Sequence, residues 1–194
     1  MKKVLSIAAV ALLSLAAIAS ADTYKIDPAH SAVSFSIAHL VISEVNGRFN
    51  EFEGELAVDP ATKTLVTGGK GVIQAKSIDT GIKKRDEHLC SPDFFDVEKF
   101  PTITFTGTEV VVEAGQPVFV GKFTMHGVTK DIRVPITVKG PIQDPWGKTR
   151  IAFVAKSILN RKDYGLTWNK ALEAGGLMVG EEVNIEIKVE AVKQ

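Results

Sequence analysis

Near the C-terminus runs Val183-Asn184-Ile185-Glu186-Ile187-Lys188-Val189-Glu190-Ala191, in which every odd-numbered position is apolar and every even-numbered position is polar. Successive side chains of a β-strand point to opposite faces, so this alternation predicts a strand with one buried side and one solvent-facing side. The same pattern recurs at residues 33–38, 50–58, 102–106 and 131–139. Because one period repeats along the chain, the sequence favours an all-β protein.

Further strands are predicted at about 23–27, 69–77, 109–124 and 150–160. Turn signals separate the runs, and the cluster Gly68-Gly69-x-Gly71 is interpreted as one of these turns. Roughly eight strands at hairpin spacing indicate an antiparallel sandwich or a closed barrel.

Two features interrupt the alternation. Pro135 lies inside the strand pattern of residues 131–139, and proline cannot donate a ladder hydrogen bond, so we expect a bulge or an exposed strand edge there. Residues 81–89 lack alternation and hold good helix formers, preceded by Asp79-Thr80 as N-cap residues. A short helix is therefore predicted near residues 80–90, with Phe94-Phe95 on the loop that follows it.

The N-terminus has the composition of a secretory signal peptide. Met1-Lys2-Lys3 is basic, residues 4–18 are almost wholly apolar, and Ala19-Ser20-Ala21 offers small residues at the cleavage position. We expect cleavage before Asp22, export of the chain, and one domain over residues 22–194, because no linker divides it and no second apolar segment is long enough to span a membrane.

The composition argues against nucleic-acid binding and excludes an internal disulfide. Lys and Arg total 23, as do Asp and Glu, so no net charge favours nucleic acid. Cys90 is the only cysteine, so an internal disulfide is impossible, and we interpret it as a small buried or half-buried apolar group.

The sequence carries no motif of a common enzyme class. It has no G-x-S-x-G, no P-loop and no G-x-G-x-x-G, and its four histidines lack metal-ligand spacing. We therefore predict no catalytic residues, no metal and no enzymatic activity, although convergence of distant residues stays open. A structural or partner-binding envelope stress protein remains the alternative function, and a hydrolase is a weaker one.

Several motifs, in order along nearly all of residues 22–194, resemble the YceI-like family. They are Tyr24-x-Ile26-Asp27-Pro28-x-His30-Ser31-x-Val33-x-Phe35-x-Ile37-x-His39-Leu40, Val45-x-Gly47-x-Phe49-x-x-Phe52-x-Gly54, Arg85-Asp86-Glu87-His88-Leu89, Phe100-Pro101-Thr102-Ile103-Thr104-Phe105, Gly121-x-Phe123-Thr124-Met125-His126-Gly127-Val128-Thr129-Lys130 and Arg161-x-Asp163-Tyr164-Gly165. The resemblance implies a lipocalin-like antiparallel barrel of eight strands in the periplasm. It also implies a polyisoprenoid or similar long-chain amphiphile in the lumen, such as a polyprenyl phosphate, a quinone or a fatty amide, and no other cofactor.

A barrel of about eight strands is just wide enough to be filled by side chains or to hold one slim ligand. The apolar residues expected to line such a lumen also suit an ordinary core, and both readings stay open. They are Phe35, Ile37, Phe52, Phe94, Phe95, Phe105, Phe123 and Phe153.

A polar mouth is needed for the head group of an amphiphile. His39 has the same strand parity as Phe35 and Ile37, so it should point to the same side at the end of that strand. Residues 83–85, Lys-Lys-Arg, lie near a predicted helix N-terminus, which favours an anion. Further head-group candidates are His88, His126 and Arg161. A homodimer, through the Pro135 strand or the helix region, stays open.

Overall fold

The described part of the chain consists mainly of β-strands. The computed structural model describes residues 21–59, 65–172, 175 and 177–194, so the predicted signal peptide lies outside it except for Ala21. The described elements are β1 Asp22–Ile26, β2 Ala32–His39, β3 Ser43–Phe49, β4 Phe52–Val58, β5 Leu65–Gln74, β6 Ile78–Asp79, α1 Lys83–Cys90, β7 Thr102–Glu113, β8 Gln116–Met125, β9 Val128–Gln143, β10 Thr149–Asn160 and β11 Val179–Lys193, with 3-10 turns at Pro28–His30, Ala75–Ser77 and Arg161–Tyr164.

Eight strands form a closed antiparallel ring in the order β1, β4, β5, β7, β8, β9, β10, β11 and back to β1. The ring closes where Tyr24 of β1 lies opposite Lys193 of β11. Strands β2, β3 and β6 continue the sheet from the N-terminal half of β11, where Ile185 lies opposite Phe35. The predicted eight-stranded antiparallel barrel is confirmed, and these three additional strands extend the sheet beyond the ring to β6, which contacts α1.

The other end of the barrel is sealed by a buried core. Tyr24, Val58, Ile151 and Ala191 are each no more than 3% exposed and pack in one cluster. Burial raises the pKa of the Tyr24 hydroxyl. We call this the sealed end.

An ion-pair network lies at the sealed end and links distant parts of the chain. The Arg150 Nε donates to the Asp144 Oδ2 at 2.7 Å, and its Nη1 donates to the Glu190 Oε1 at 2.6 Å and the Asp27 Oδ2 at 3.0 Å. Asp27 follows β1, Asp144 lies in the β9–β10 turn and Glu190 is on β11, so one half-buried guanidinium fixes three segments where the ring closes.

The α1 end is covered by the helix and the loop after it. Asp86 accepts hydrogen bonds from the Thr80 backbone N–H at 2.9 Å and from its hydroxyl at 2.5 Å, while Arg85 donates to the Thr80 hydroxyl and carbonyl oxygens at 2.7 and 2.8 Å. Cys90, the last residue of α1, is half-buried against a second apolar cluster that includes Phe49 and Ile78. Burial raises the pKa of its thiol, in agreement with its interpretation as an apolar group.

The predicted helix is present, but its predicted N-cap is wrong. The helix begins at Lys83, and Ile82 occupies the cap position without a side-chain hydrogen bond. Asp79 belongs instead to β6, where its carboxylate accepts from the backbone N–H of Gly81 and from the side chains of Arg48 and Asn50. Because the Asp79 carboxylate is bonded to residues in and next to β3, it does not cap α1.

Two strand predictions also need correction. The strand region predicted at 109–124 is divided between β7 and β8 at the turn signal Gly115-Gln116-Pro117, because Ala114 and Gly115 have φ values of 49° and 80° and turn the chain there. The cluster Gly68-Gly69-x-Gly71 lies inside β5 rather than forming a turn. A Cβ at Gly69 would lie 2.9 Å from the Phe119 ring, so this glycine leaves room for a ring that reaches from β8 over the adjacent strand β7.

The expected irregularity at Pro135 is an exposed strand edge. Pro135 lies opposite Val118 of β8, but the pairing of β9 with β10 begins only at Ile136, opposite Ala155. Within the described chain, residues 128–135 of β9 and 156–160 of β10 therefore do not pair with each other. We call this the parted seam.

The Arg150 network predicts a pH-dependent contribution to stability. Hydrogen bonds from Arg150 lower the pKa of Asp144, and those from His30 and Arg150 lower the pKa of Asp27. Because these folded-state pKa values lie below the unfolded value of about 3.9, the network stabilises the fold above about pH 4 and loses this effect as the pH falls through the folded values.

We expect Arg150→Gln to lower the melting temperature at neutral pH, and we expect its deficit from the unaltered protein to shrink on acidification toward about pH 2. Circular dichroism melts across this range measure both. Arg133→Gln, at an exposed arginine paired with Glu113, is the matched control and should have little effect at any pH. An Arg150→Gln deficit of equal size in acid would contradict the expectation.

Candidate ligand cavity

A cavity of about 670 Å³ lies inside the barrel between the sealed end and α1. Its volume falls within the range of about 300–1,000 Å³ that is typical of small-molecule sites. Leu56, Phe119 and Ile136 line it next to the sealed core, and Leu89 of α1 lines it at the opposite end. The lumen is therefore not completely filled by side chains.

All eight apolar residues predicted for the lumen line this cavity. Phe35 and Ile37 project from β2 with the parity expected from the alternation, and Phe94 and Phe95 reach the cavity from the loop after α1. The other four each come from a different strand, namely Phe52 from β4, Phe105 from β7, Phe123 from β8 and Phe153 from β10.

Some residues that line the cavity were not predicted, although the alternating pattern of β11 indicates them. Val183, Ile185, Ile187 and Val189 line the cavity, and they are the apolar members of the alternating segment in β11. The apolar face of β11 points into the barrel interior. Trp168 also lines the cavity, but it lies on an irregular segment where no periodicity indicates its direction.

Glycines make room for aromatic rings along the wall. A Cβ at Gly47 would overlap the ring of Phe35, and a Cβ at Gly107 would overlap the ring of Phe119. Each ring thus occupies the space that a neighbouring side chain would otherwise fill. Because the rings of Phe35 and Phe119 lie against glycines of neighbouring strands, they stay close to the wall and leave the centre of the barrel open.

Four of the predicted head-group residues line the cavity, namely His39, Arg85, His88 and Arg161. The His88 Nε2 lies 2.8 Å from the Asp93 Oδ2, and its ring makes edge contacts with those of Phe94 and Trp168. Arg85 is already bonded to Thr80 through two of its nitrogens. His39 is half-buried as the last residue of β2.

The remaining basic candidates of that region do not line the cavity. The His126 Nδ1 lies 3.0 Å from the Tyr164 carbonyl oxygen, and its ring centroid lies 4.6 Å from that of Phe100. His126 therefore holds the β8–β9 turn against the 3-10 turn and is placed outside the lumen. Lys83 and Lys84 are exposed on α1, away from the cavity wall.

Arg161 is the most deeply buried charged side chain of the cavity wall within the described residues. It is 3% exposed, its Nε donates to the Gly180 carbonyl oxygen at 2.7 Å, and its Nη1 donates to the Leu166 carbonyl oxygen at 2.6 Å. Its Nη2 is buried without a hydrogen-bond partner among those residues. Burial lowers the pKa of this guanidinium.

The parted seam forms one side of the cavity. Lys130, Ile132 and Val134 of β9 line it on one edge, and Ser157 and Leu159 of β10 line it on the other. At this position the wall is made by side chains rather than by a hydrogen-bonded ladder.

Asp27, His30 and Glu190 are close enough for their side-chain ligand atoms to approach one metal ion. Arg150 already donates to both carboxylates of this group, so part of their negative charge is offset at the sealed end. Their arrangement is that of an ion-pair network. In the part of the chain that the structure describes, no helix has the length and hydropathy needed to cross a membrane.

The two tryptophans provide a direct test of this geometry. Trp168 lines the cavity, whereas Trp146 is 81% exposed in the β9–β10 turn. We expect Trp146→Phe, which leaves Trp168, to show blue-shifted emission and weak quenching by acrylamide. The complementary Trp168→Phe protein should show red-shifted emission and strong quenching. Equal quenching of the two single-tryptophan proteins would contradict the placement of Trp168.

Comparisons with known proteins agree with this architecture. Residues 24–191 match the YceI-like domain. A UPF0312 protein of Vibrio cholerae is 36% identical over 199 residues, covering 100% of this chain and 99% of its own, and a UPF0312 protein of Pseudomonas aeruginosa is 36% identical over 182 residues, covering 91% and 90%.

Solved structures of similar fold include the Campylobacter jejuni YCEI protein, with a TM-score of 0.69, 29% identity and coverage of 81% of this chain and 90% of the other. Burkholderia cenocepacia BcnA has a TM-score of 0.72 at 23% identity, covering 85% and 98%, and a polyisoprenoid-binding domain from Saccharophagus degradans has 0.66 at 17% identity, covering 88% and 98%. The eight-stranded barrel, the match over residues 24–191 and the full-length relatives together show that this chain belongs to the YceI-like family.

Proposed function

We propose that this protein binds and carries a polyisoprenoid or similar long-chain amphiphile in its barrel lumen, after export to the periplasm. The observation that supports this function is the apolar cavity of about 670 Å³ in the centre of a closed barrel. The export step rests on the composition of residues 1–21 alone. Polyprenyl phosphates, quinones and fatty amides are the candidate ligand classes.

The apolar wall supplies the driving force for binding. Transfer of a hydrocarbon chain from water contributes about 0.8 kcal/mol per buried CH₂, so ten such groups give a gross gain of about 8 kcal/mol. Loss of translational freedom and ordering of the chain oppose this gain. Because the wall is built on paired strands, the protein itself has little to reorganise, and micromolar or tighter binding is attainable.

The solved domain from Saccharophagus degradans supports the choice of ligand class. It is described as polyisoprenoid-binding and has the same fold, although its 17% identity carries only the fold. A barrel of this shape therefore has a precedent for isoprenoid ligands. The binding residues proposed here are taken from the cavity of this chain.

One observation favours the alternative of a partner-binding envelope protein. Val41 and Ile42, in the turn between β2 and β3, are 73% and 87% exposed. Exposed apolar side chains at a loop tip suit contact with another surface. Such a protein would not need an accessible lumen. A substitution that fills the cavity should therefore impair lipid binding but not partner binding.

The decisive experiment fills the lumen with one side chain. Ala155 is 6% exposed and lines the cavity, whereas Ala152, on the same strand, has the opposite parity and does not line it. We expect Ala155→Phe to weaken binding of a long-chain isoprenoid alcohol by about tenfold or more, equivalent to about 1.4 kcal/mol or more, because the added ring takes ligand space. Ala152→Phe should bind nearly normally.

The endogenous ligand is tested by purifying the protein from the periplasm of a Gram-negative host, extracting it with organic solvent and analysing the extract by mass spectrometry. We expect a stoichiometric long-chain species from the unaltered protein and from Ala152→Phe, and much less from Ala155→Phe. The proposal is rejected if no such species is extracted and no isoprenoid probe binds, or if Ala155→Phe folds and binds as well as Ala152→Phe.

A further inference from the structure

Both ends of the barrel are covered, so a ligand of the cavity needs an entrance. At the sealed end, a buried core and an ion-pair network close the ring. At the α1 end, the rings of His88, Phe94 and Trp168 contact one another, and Arg85 ties the helix to Thr80. A long-chain ligand therefore reaches the lumen where some part of this enclosure yields.

The parted seam is the part of the described wall that opens without breaking a backbone ladder. The pairing of β9 with β10 ends at Ile136 and Ala155, and beyond it the edges formed by residues 128–135 and 156–160 are not paired with each other. The other neighbouring strands of the ring are held by backbone hydrogen bonds, which would have to break before a chain could pass between them. Separation of the wall is thus easiest at the seam.

The seam has one fixed end and one weakly held end. The ladder at Ile136 fixes the first, and at the second the Lys130 Nζ lies 2.9 Å from the Asp163 Oδ2 and 5.5 Å from the centroid of the Tyr164 ring. From Lys130 to Ile136 a strand rises about 20 Å. The side chains of Lys130 and Asp163 are 40% and 56% exposed, and an ion pair between exposed groups contributes little to stability.

An outer groove of about 750 Å³ lies against the same edge of β10. Ser157 and Ile158 line both this groove and the cavity. Consecutive residues of a strand point to opposite faces, so in a closed sheet they would face different spaces. Because β10 has no paired neighbour on this side, the cavity and the outer groove reach the same strand edge.

We infer that the parted seam is a lateral portal, through which a long-chain ligand passes between β9 and β10 on its way into and out of the lumen. This inference rests on the proposed lipid-binding function and specifies the route of ligand exchange. Val134 and Leu159 line the inner side of the seam, and Ile158 is 63% exposed on the outer side. A hydrocarbon chain therefore meets apolar side chains before, during and after its passage through the wall.

The portal is tested by cross-linking its two edges. When the register is continued from Ile136 and Ala155, Arg133 of β9 lies opposite Ile158 of β10, and both side chains are exposed. Arg133→Cys and Ile158→Cys are combined in a Cys90→Ala background and joined with a short bismaleimide. Mass spectrometry establishes that the cross-link has formed.

The matched control carries the same cross-link between two strands that are already paired. Thr106 of β7 and Lys122 of β8 lie opposite each other, are exposed, and line neither the cavity nor the outer groove. Thr106→Cys and Lys122→Cys are joined with the same reagent in the same Cys90→Ala background. This protein controls for the reagent and for the loss of chain flexibility.

Ligand exchange is followed by the fluorescence of Trp168, which lines the cavity, after Trp146→Phe in every protein. The probe is a long-chain isoprenoid alcohol, and its release is measured by transfer to an excess of phosphatidylcholine vesicles. We expect the cross-linked seam to slow association and dissociation in parallel, by about tenfold or more, with Kd changed by less than about twofold. A blocked route changes both rates and leaves the equilibrium between the same end states unaltered.

A second variant opens the weakly held end. Asp163→Asn removes the negative partner of Lys130, and we expect it to speed association and dissociation by about two- to fivefold with little change in Kd. Glu113→Gln, which removes the exposed partner of Arg133, is its control and should exchange at the unaltered rate. This comparison decides the question if the cross-link across the seam does not form.

The outcomes separate the route from the function. If the cross-linked seam exchanges ligand as fast as the β7–β8 control, the portal is wrong while lipid binding stands. Weaker binding with an unchanged dissociation rate also contradicts it, because the cross-link then acts on the bound state rather than on the route. If the unaltered protein does not bind the isoprenoid alcohol, the proposed function fails and the route fails with it.

Discussion

The hydrogen-bonded ring of eight strands is the constraint on which the cavity depends. Protein interiors normally pack to high density, and an apolar space shrinks wherever its lining can move inward. Outside the parted seam and the α1 end, the lining is mounted on paired strands whose separation is fixed by the backbone ladders. The aromatic rings of Phe35 and Phe119 take space beside Gly47 and Gly107, so the side chains line this frame without filling its centre.

Two arginines show how the same side chain serves different ends of the barrel. Arg150 has three carboxylate partners where the ring closes, so its charge contributes to holding β1, β10 and β11 together. Arg161 has only backbone carbonyl partners, and its Nη2 is buried without a partner among the described residues. The first arrangement satisfies the guanidinium with carboxylates, whereas the second leaves one buried donor without a partner in that part of the chain.

The sequence predicts the fold well wherever apolar and polar residues alternate along a strand. The alternation in β11 and β2 predicts both strands, and in β2 it also assigns Phe35 and Ile37 to the lumen. The apolar residues of β11 were not among the predicted lining residues, whereas the aromatic residues after α1 were correctly expected on a loop. Local reasoning failed where a distant segment determines the outcome. Asp79 pairs with β3 instead of capping the helix, and Gly69 makes room for Phe119, which is fifty positions further along the chain. The environment of Arg161 likewise depends on carbonyl oxygens from two other segments.

The parted seam leaves backbone donors and acceptors of β9 and β10 without their usual neighbours in the ring, and such bare edges invite pairing with another chain. Charged side chains stand along both of them, with Lys130 and Asp131 on one and Lys156 on the other. To add a foreign strand at either edge, these groups would have to lose water. We conclude that the charged borders of this gap oppose the addition of a foreign strand, because they are costly to dehydrate.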